Sequence, residues 1–354
     1  MKTYKNILVN ALVNLGDVVL TTSAIALLKK AYPEAKITML VKPVVREAVE
    51  NNPVIDEVIV FQYKAKENSL GKMWGMVKDL KRRHFDLAIS FDRKLRPALL
   101  CWLAGIPTRV GPSKVFDDKP SKVTWLYTDV VEIKHDLENT LQAETYQTIV
   151  RGFTGQTEHA EPVFARITPE NERNAQELLQ RLPQAEKKIA LCVKGTFSLK
   201  TWPKEYFAEV VKQLAARYDA AFFVVGAPND RDYADEVIQY MEPVVLNFCG
   251  ETSLTDLAAL IGAADLLVTV DTGATHIAAT TGVPMVTMYG CTSPNRWHPI
   301  NKQARVLTAD EPCCPCSVRA EDCPSSPQPK CLWNIAPEMV LKECNDLLSG
   351  EYLI

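Results

Sequence analysis

No stretch of this chain approaches the roughly 18 uninterrupted apolar residues of a membrane span, and the apolar run after Lys5 is broken by Asn10, Asn14 and Asp17 before any small-residue cleavage site. These absences argue against a transmembrane or secreted protein, and a cytosolic location is expected. An excess of one charge is also missing: 40 Lys and Arg stand against 43 Asp and Glu, a net charge of -3. Such a chain has no global field for nucleic acid, and any polyanion must be met locally. No Gly-rich dinucleotide fingerprint follows the first apolar run and no G-x4-G-K-[ST] loop occurs, which speaks against a nicotinamide dehydrogenase and a P-loop kinase. Internal repeats and low-complexity tracts are absent too. What is there is ordinary. The 354 residues are 47% apolar and 23% charged, a soluble globular composition long enough for two domains with cores of their own.

The pattern from Asn6 reads strand, turn, helix. Ile7-Leu8-Val9 is a short buried-type run, Asn14-Leu15-Gly16-Asp17 is turn chemistry, and Val18, Thr22, Ile25, Leu28 and Tyr32 recur at helical spacing up to Pro33. Strands follow at 37–41, 58–61 and 87–91, with helices at 70–82 and 95–104 between them. Periodicity fades around 154–173, a linker, and the alternation restarts at Lys188. The second half reads strand 189–193, helix 204–217, strand 221–225, helix 231–241, strand 244–248. Helix 254–263, strand 266–270, helix 274–281 and strand 285–289 complete it. Apolar strands alternating with helices predict parallel sheets covered by helices, an α/β fold in two Rossmann-like domains. Two such domains bind ligands at the carboxyl ends of their strands.

Several turns carry chemistry. Val268 to His276 runs from a strand through Asp271, Thr272 and Gly273 into a helix, whose free N–H groups form an anion site suited to a diphosphate. The plainer reading, that Asp271 or Thr272 caps the helix, is the commoner one for this local pattern. His276, one turn in, faces the same anion or packs. Gly16-Asp17 occupies the equivalent turn of the first half, where a carboxylate acts as a general base or as an N-cap. Gly195 to Pro203 follows the first strand of the second half, with Lys200 as a cation for phosphate or a solvated surface lysine. Asp230-Arg231-Asp232 has metal-binding spacing but opens a helix, where acids favour the macrodipole without any ligand. No metal is expected there. Lys64, Lys66, Lys72, Lys78, Lys81, Arg82 and Arg83, with Arg93, Lys94 and Arg96 beyond a strand, form a solvated face or dock an anionic acceptor or acidic lipid headgroups.

Of the ten cysteines, Cys101, Cys192, Cys249 and Cys291 are scattered as buried reduced thiols. Cys313-x2-Cys316-x6-Cys323-x7-Cys331, with Cys314, matches no standard finger. Packed or reactive thiols are favoured over a zinc knot.

Taken in order, Asn14-Leu15-Gly16-Asp17, the segment from Phe85-Asp86-Leu87 through Leu103-Ala104-Gly105-Ile106-Pro107-Thr108-Arg109-Val110-Gly111, Lys200-Thr201-Trp202-Pro203, Asp271 to Ala279 with Gly282-Val283-Pro284, and Tyr289 to Pro294 resemble glycosyltransferase family 9, the bacterial lipopolysaccharide heptosyltransferases. The resemblance implies the GT-B architecture: two Rossmann-like parallel-sheet domains facing a central cleft, with an acceptor domain at 1–165, a nucleotide-sugar domain at 166–336 and a last helix at 337–354 returning to the first domain. It implies inverting transfer of heptose from ADP-L-glycero-β-D-manno-heptose, without cofactor or essential metal, to Kdo-lipid A or an already heptosylated core. The enzyme would sit peripherally on the cytoplasmic face of the inner membrane. A relative using another nucleotide sugar and a non-catalytic nucleotide-sugar or lipid-anchor binding module are the alternatives. By the same resemblance Asp17 is the catalytic base. Thr196 and Lys200 hold the diphosphate, Asp230 the ribose, and Thr252 to Leu254 border the adenine. Asp271 meets the sugar, with Thr272, Gly273 and His276 around the phosphates. The charge reading, rather than the resemblance, gives Lys64, Lys66, Arg93 and Arg96 as the residues that meet the acceptor. Asp230 stands where some members carry glutamate, and Gly195 where a hydroxyl residue often helps bind phosphate.

Overall fold

A computed structural model describes residues 2–62, 69–92, 94–115, 118–134, 139–316 and 320–350. Contacts divide the chain into two compact units, Met1–Arg166 and Ile167–Ile354.

The first unit holds β1 (Asn6–Asn10), α1 (Leu15–Ala31), β2 (Lys36–Val41), β3 (Glu57–Val60), α2 (Ser69–Arg82), β4 (Leu87–Ser90), α3 (Leu95–Leu103), β5 (Thr108–Pro112), the short pair β6 (Lys114–Val115) and β7 (Lys119–Pro120), β8 (Asp129–Val131) and α4 (Gln142–Thr154). Its sheet runs β3-β2-β1-β4-β5-β8, parallel throughout. Helices on both faces remove the sheet from water, so Ile7, Leu8 and Val9 of the central strand are fully buried and a continuous apolar run replaces alternation. Helix α1 is buried along most of its length. Its Thr21, Thr22 and Ser23 hydroxyls are satisfied by the Val18, Val19 and Leu20 carbonyls one turn back.

The second unit holds α5 (Pro169–Leu179), β9 (Lys187–Cys192), α6 (Lys204–Arg217), β10 (Ala220–Val224), α7 (Arg231–Ile238), β11 (Val245–Asn247), α8 (Leu254–Gly262), β12 (Leu266–Val270), α9 (Gly273–Thr281), β13 (Met285–Tyr289), α10 (Pro294–Trp297), β14 (Ala304–Thr308), α11 (Lys330–Trp333) and α12 (Pro337–Ser349). Its parallel sheet runs β11-β10-β9-β12-β13-β14. Strand order therefore reverses between β1 and β4 in one sheet and between β9 and β12 in the other. Loops leaving the carboxyl ends of such a strand pair diverge and open a crevice.

Two expectations change. The stretch read as a linker ends in α5, started by a capping box in which Thr168 and Asn171 satisfy each other's backbone N–H groups, with proline in the first turn. The last helix, expected to return to the first domain, is built into the second: Val340, Cys344 and Leu347 of α12 lie in one core with Trp202, Phe207 and Phe222. The amphipathic spacing of those residues buries its apolar face against α6 and β12 to β14. Among the described residues no helix is long and apolar enough to cross a membrane.

Candidate active site

At the reversal point of the second sheet, the loop after β9 folds back and the loop after β12 enters α9. The Lys200 ammonium donates to Asp271 Oδ2 at 2.5 Å, bridging the two loops. Thr292, just past β13, donates to the same oxygen at 2.5 Å. Asp271 is buried and Lys200 nearly so, so the two form an ion pair, neutral as a unit, in a partly dehydrated pocket. The Phe197 ring lies 5.5 Å from the Lys200 ammonium. The return of the first loop depends on Gly195: a β-carbon there would stand 2.3 Å from the Lys200 carbonyl oxygen. Trp202, fully buried, anchors the far side by donating its indole N–H to the Ile335 carbonyl at 3.0 Å.

The N-cap of α9 is Thr272, whose side chain makes no capping bond. The helix start keeps its N–H donors beside Lys200, a ready anion site. Thr275 secures it from beneath, donating to the Val270 carbonyl at 2.8 Å. His276 is buried, and its Nδ1 has no hydrogen-bond partner among the described residues. Burial pushes its pKa down to about 4, with Lys200 and His298 adding to the depression against the pull of Asp271. The ring is neutral near pH 7 and offers a hydrogen bond, not a charge.

The structure thus brings together Lys200, Asp271, Thr272, Gly273 and His276. Thr196 is exposed on the same β9–α6 loop. Asp230 lies after β10, where its carboxylate accepts the Ala227 N–H at 3.0 Å and pairs with Lys194 at 3.2 Å. Thr252 precedes α8, and Leu254 begins it. Cys249, on the same side of the sheet, is buried with its thiol pushed up to about 12.

In the first unit, Asn14 takes the N-cap of α1 and Asp17 sits in the first turn, where a carboxylate is favoured by the helix dipole. The Tyr146 hydroxyl, on α4, donates to Asp17 Oδ1 at 2.7 Å. Phe91, next to the end of β4, packs on the Tyr146 ring at 5.3 Å between centroids. At the reversal point beside β1 and β4 opens a cavity of about 490 Å³ lined by Leu12, Met73, Leu95, Pro97 and Leu99, with Asp92, Lys94 and Arg96 at its polar side. Lys64, Lys66 and Arg93 fall outside the described residues.

Residues 73–326 match the model of glycosyltransferase family 9 (heptosyltransferase). The chain belongs to this family. Lipopolysaccharide heptosyltransferase 2 of Escherichia coli strain K12 is 25% identical over 350 residues, which cover 95% of this chain and 96% of that one. A family 9 glycosyltransferase from Veillonella parvula DSM 2008 superimposes with a TM-score of 0.83 at 25% identity over 98% of both chains. The Escherichia coli ADP-heptose lps heptosyltransferase II structure gives 0.79 at 23% identity over 98% of this chain and 99% of that one. The two parallel-sheet units have the GT-B architecture of these glycosyltransferases.

Two residues of this family 9 chain that position the candidate groups escape sequence reading. Tyr146 is 129 positions from Asp17, and Thr292 is 21 from Asp271. The only sequence signal for Thr292 is its place in the Tyr289 to Pro294 block, directly after a strand. The Gly105 to Gly111 block is accounted for by architecture. Gly105 ends α3 with φ +73°, Arg109 holds the Ile106 and Leu126 carbonyls, and Gly111 leaves room for the Tyr127 ring. All ten cysteines are free thiols. Among the described residues no three Cys, His, Asp or Glu side chains form a metal-binding group. Burial, with neighbouring Cys331 and Cys313, pushes the Cys314 thiol up.

Proposed function

We propose that this glycosyltransferase moves heptose, with inversion, from ADP-L-glycero-β-D-manno-heptose to a lipopolysaccharide inner-core acceptor, working peripherally on the cytoplasmic face of the inner membrane. The observation that carries the reading is the Lys200–Asp271 bridge beside the uncapped start of α9, a cation and helix N–H groups assembled where a nucleotide diphosphate would lie. The names of the relatives supply the heptose and the acceptor class.

In this mechanism the acceptor hydroxyl oxygen attacks the anomeric carbon while the bond to the β-phosphate oxygen breaks and ADP leaves. Direct displacement inverts the centre. Asp17 takes the hydroxyl proton, its carboxylate oriented by Tyr146. Negative charge developing on ADP is met by Lys200 and the α9 N–H groups with Thr272, fixed donors that need no rearrangement. As the diphosphate binds, Lys200 shifts from Asp271 towards phosphate, and Asp271 is left to accept from sugar hydroxyls. Neutral His276 adds a hydrogen bond. Asp230 would hold the ribose and Thr252 to Leu254 the adenine, with Thr196 at the phosphates. Arg96, Arg93, Lys64 and Lys66 would receive the anionic acceptor.

The test is a screen of ADP-heptose and other nucleotide sugars against Kdo-lipid A and heptosylated cores, reading ADP release with and without EDTA. Acceptor-dependent ADP release that survives EDTA is expected. Turnover with a different nucleotide sugar alone would replace the donor, and binding of ADP-heptose without turnover on any acceptor would make the protein a binding module.

A further inference from the structure

The first unit carries an exposed apolar surface that its core does not require. On α2 the buried residues Val77 and Leu80 pack with Leu100, Cys101 and Ala104 of the α3 side. The stripe that flanks this buried face, at four-residue spacing, is Leu70, Trp74, Lys78 and Arg82, with Lys81 beside it. Leu70 is 75% and Trp74 55% exposed, an unusual cost for two large apolar side chains on a helix that already has a buried face. Across the cavity from Met73, Leu95 at the start of α3 is 50% exposed between the exposed Lys94 and Arg96. Asp79 is the sole carboxylate of α2, and it is engaged by Arg83 at 2.9 Å and Arg82 at 3.4 Å. A chain of net charge -3 thus presents apolar side chains ringed by cations on one face.

The geometry points to this face, the outer stripe of α2 with the start of α3, as a docking surface for a bilayer containing anionic lipid. Trp and Leu are the side chains that enter the headgroup boundary, and lysines beside them answer the negative surface potential. Charge complementarity favours lipid over a protein partner, because an apolar protein groove would gain nothing from the flanking lysines. The inference rests on the reading of a membrane-held acceptor for its purpose, but the measurement needs neither donor nor acceptor.

The full chain would be sedimented with vesicles of phosphatidylethanolamine and phosphatidylglycerol, and separately with phosphatidylcholine alone. Binding to the anionic vesicles, weakened by salt, is expected. Replacing both Leu70 and Trp74 by alanine should lower the partition constant about tenfold or more, and each of Lys78→Ala and Lys81→Ala about fivefold. Unchanged thermal unfolding establishes that the variants remain folded. In vesicles with brominated acyl chains, part of the tryptophan emission should be quenched, and Trp74→Phe should remove that part. Absence of binding to anionic vesicles, equal binding to neutral ones, or variants that bind like the parent would overturn the assignment. Transfer to a deacylated, soluble acceptor tests the catalytic reading separately: its success with no vesicle binding would sink the surface alone.

Discussion

A carboxylate that is to accept a proton at the right moment has to be oriented before the substrate arrives, and Asp17 has that orientation from Tyr146. Asp17→Asn keeps the size and the helix-start polarity but not the basicity, so kcat should fall about 10²–10⁴-fold with thermal stability little changed. Tyr146→Phe should cost less, because it removes only a hydrogen bond to a charged group, worth about 1.5–3 kcal/mol, and should leave ADP affinity alone. Steady-state kinetics alongside calorimetry and thermal unfolding check both; an Asn variant as fast as the parent would leave Asp17 only a structural role. The place of Asp17 was legible because a Gly-Asp turn between an apolar run and a helical period sets it at a helix start, but that pattern alone reads first as an N-cap, and the role of base came from the family resemblance. Tyr146 was not legible, because α4 begins in a polar, charged stretch and contacts α1 only in the fold. Lys200 and Asp271 were each legible for the same local reason as Asp17, whereas their bridge, 71 residues apart, belongs to the strand order.

The loop between β9 and α6 shows how a single element fixes a charge. Its path is set at one end by Gly195 under the Lys200 carbonyl and at the other by Trp202 in the core. That is a physical reason for glycine at this position. Gly195→Ala should therefore displace Lys200 and weaken ADP binding in the same way as Lys200→Ala, which removes a charge-assisted contact of roughly 1.5–3 kcal/mol. Calorimetry on the two variants and their double mutant should find losses that do not add, since both act through one ammonium group. Wild-type ADP affinity in Gly195→Ala would mean the loop tolerates the β-carbon. Elements built of apolar runs, such as β1, β9, β10, β12 and β13, were readable because burial on both faces writes itself into the sequence. Strands β5, with its Gly111 and Pro112, and the three-residue β8 lack such a run. Strand β14 lies at the sheet edge and is only half-buried, so its sequence is less apolar.

At the scale of the molecule, the same strand order is used twice, and Asp17 in one unit and Lys200 and Asp271 in the other follow the strands between which that order reverses. Two α/β units were evident from the alternation of strands and helices, but the attachment of α12 was not, since amphipathic spacing says that a face is buried and not where. Removing residues from Pro337 onward would strip Val340, Cys344 and Leu347 from the second core, at about 1.5–3 kcal/mol for each large apolar side chain. The shortened chain should lose the cooperative unfolding transition of the second unit and ADP binding with it, while the first unit, with its own core, keeps its transition in a calorimetric scan. Two transitions retained at parental temperatures would show that α12 is dispensable. During synthesis the same arrangement imposes a schedule. The first unit can close while later residues are still being joined, since domains fold as units from the N-terminal side. The second must wait with Trp202 and Phe207 uncovered until the segment carrying Leu347 has cleared the ribosome, so the second unit would be the one most in need of a chaperone.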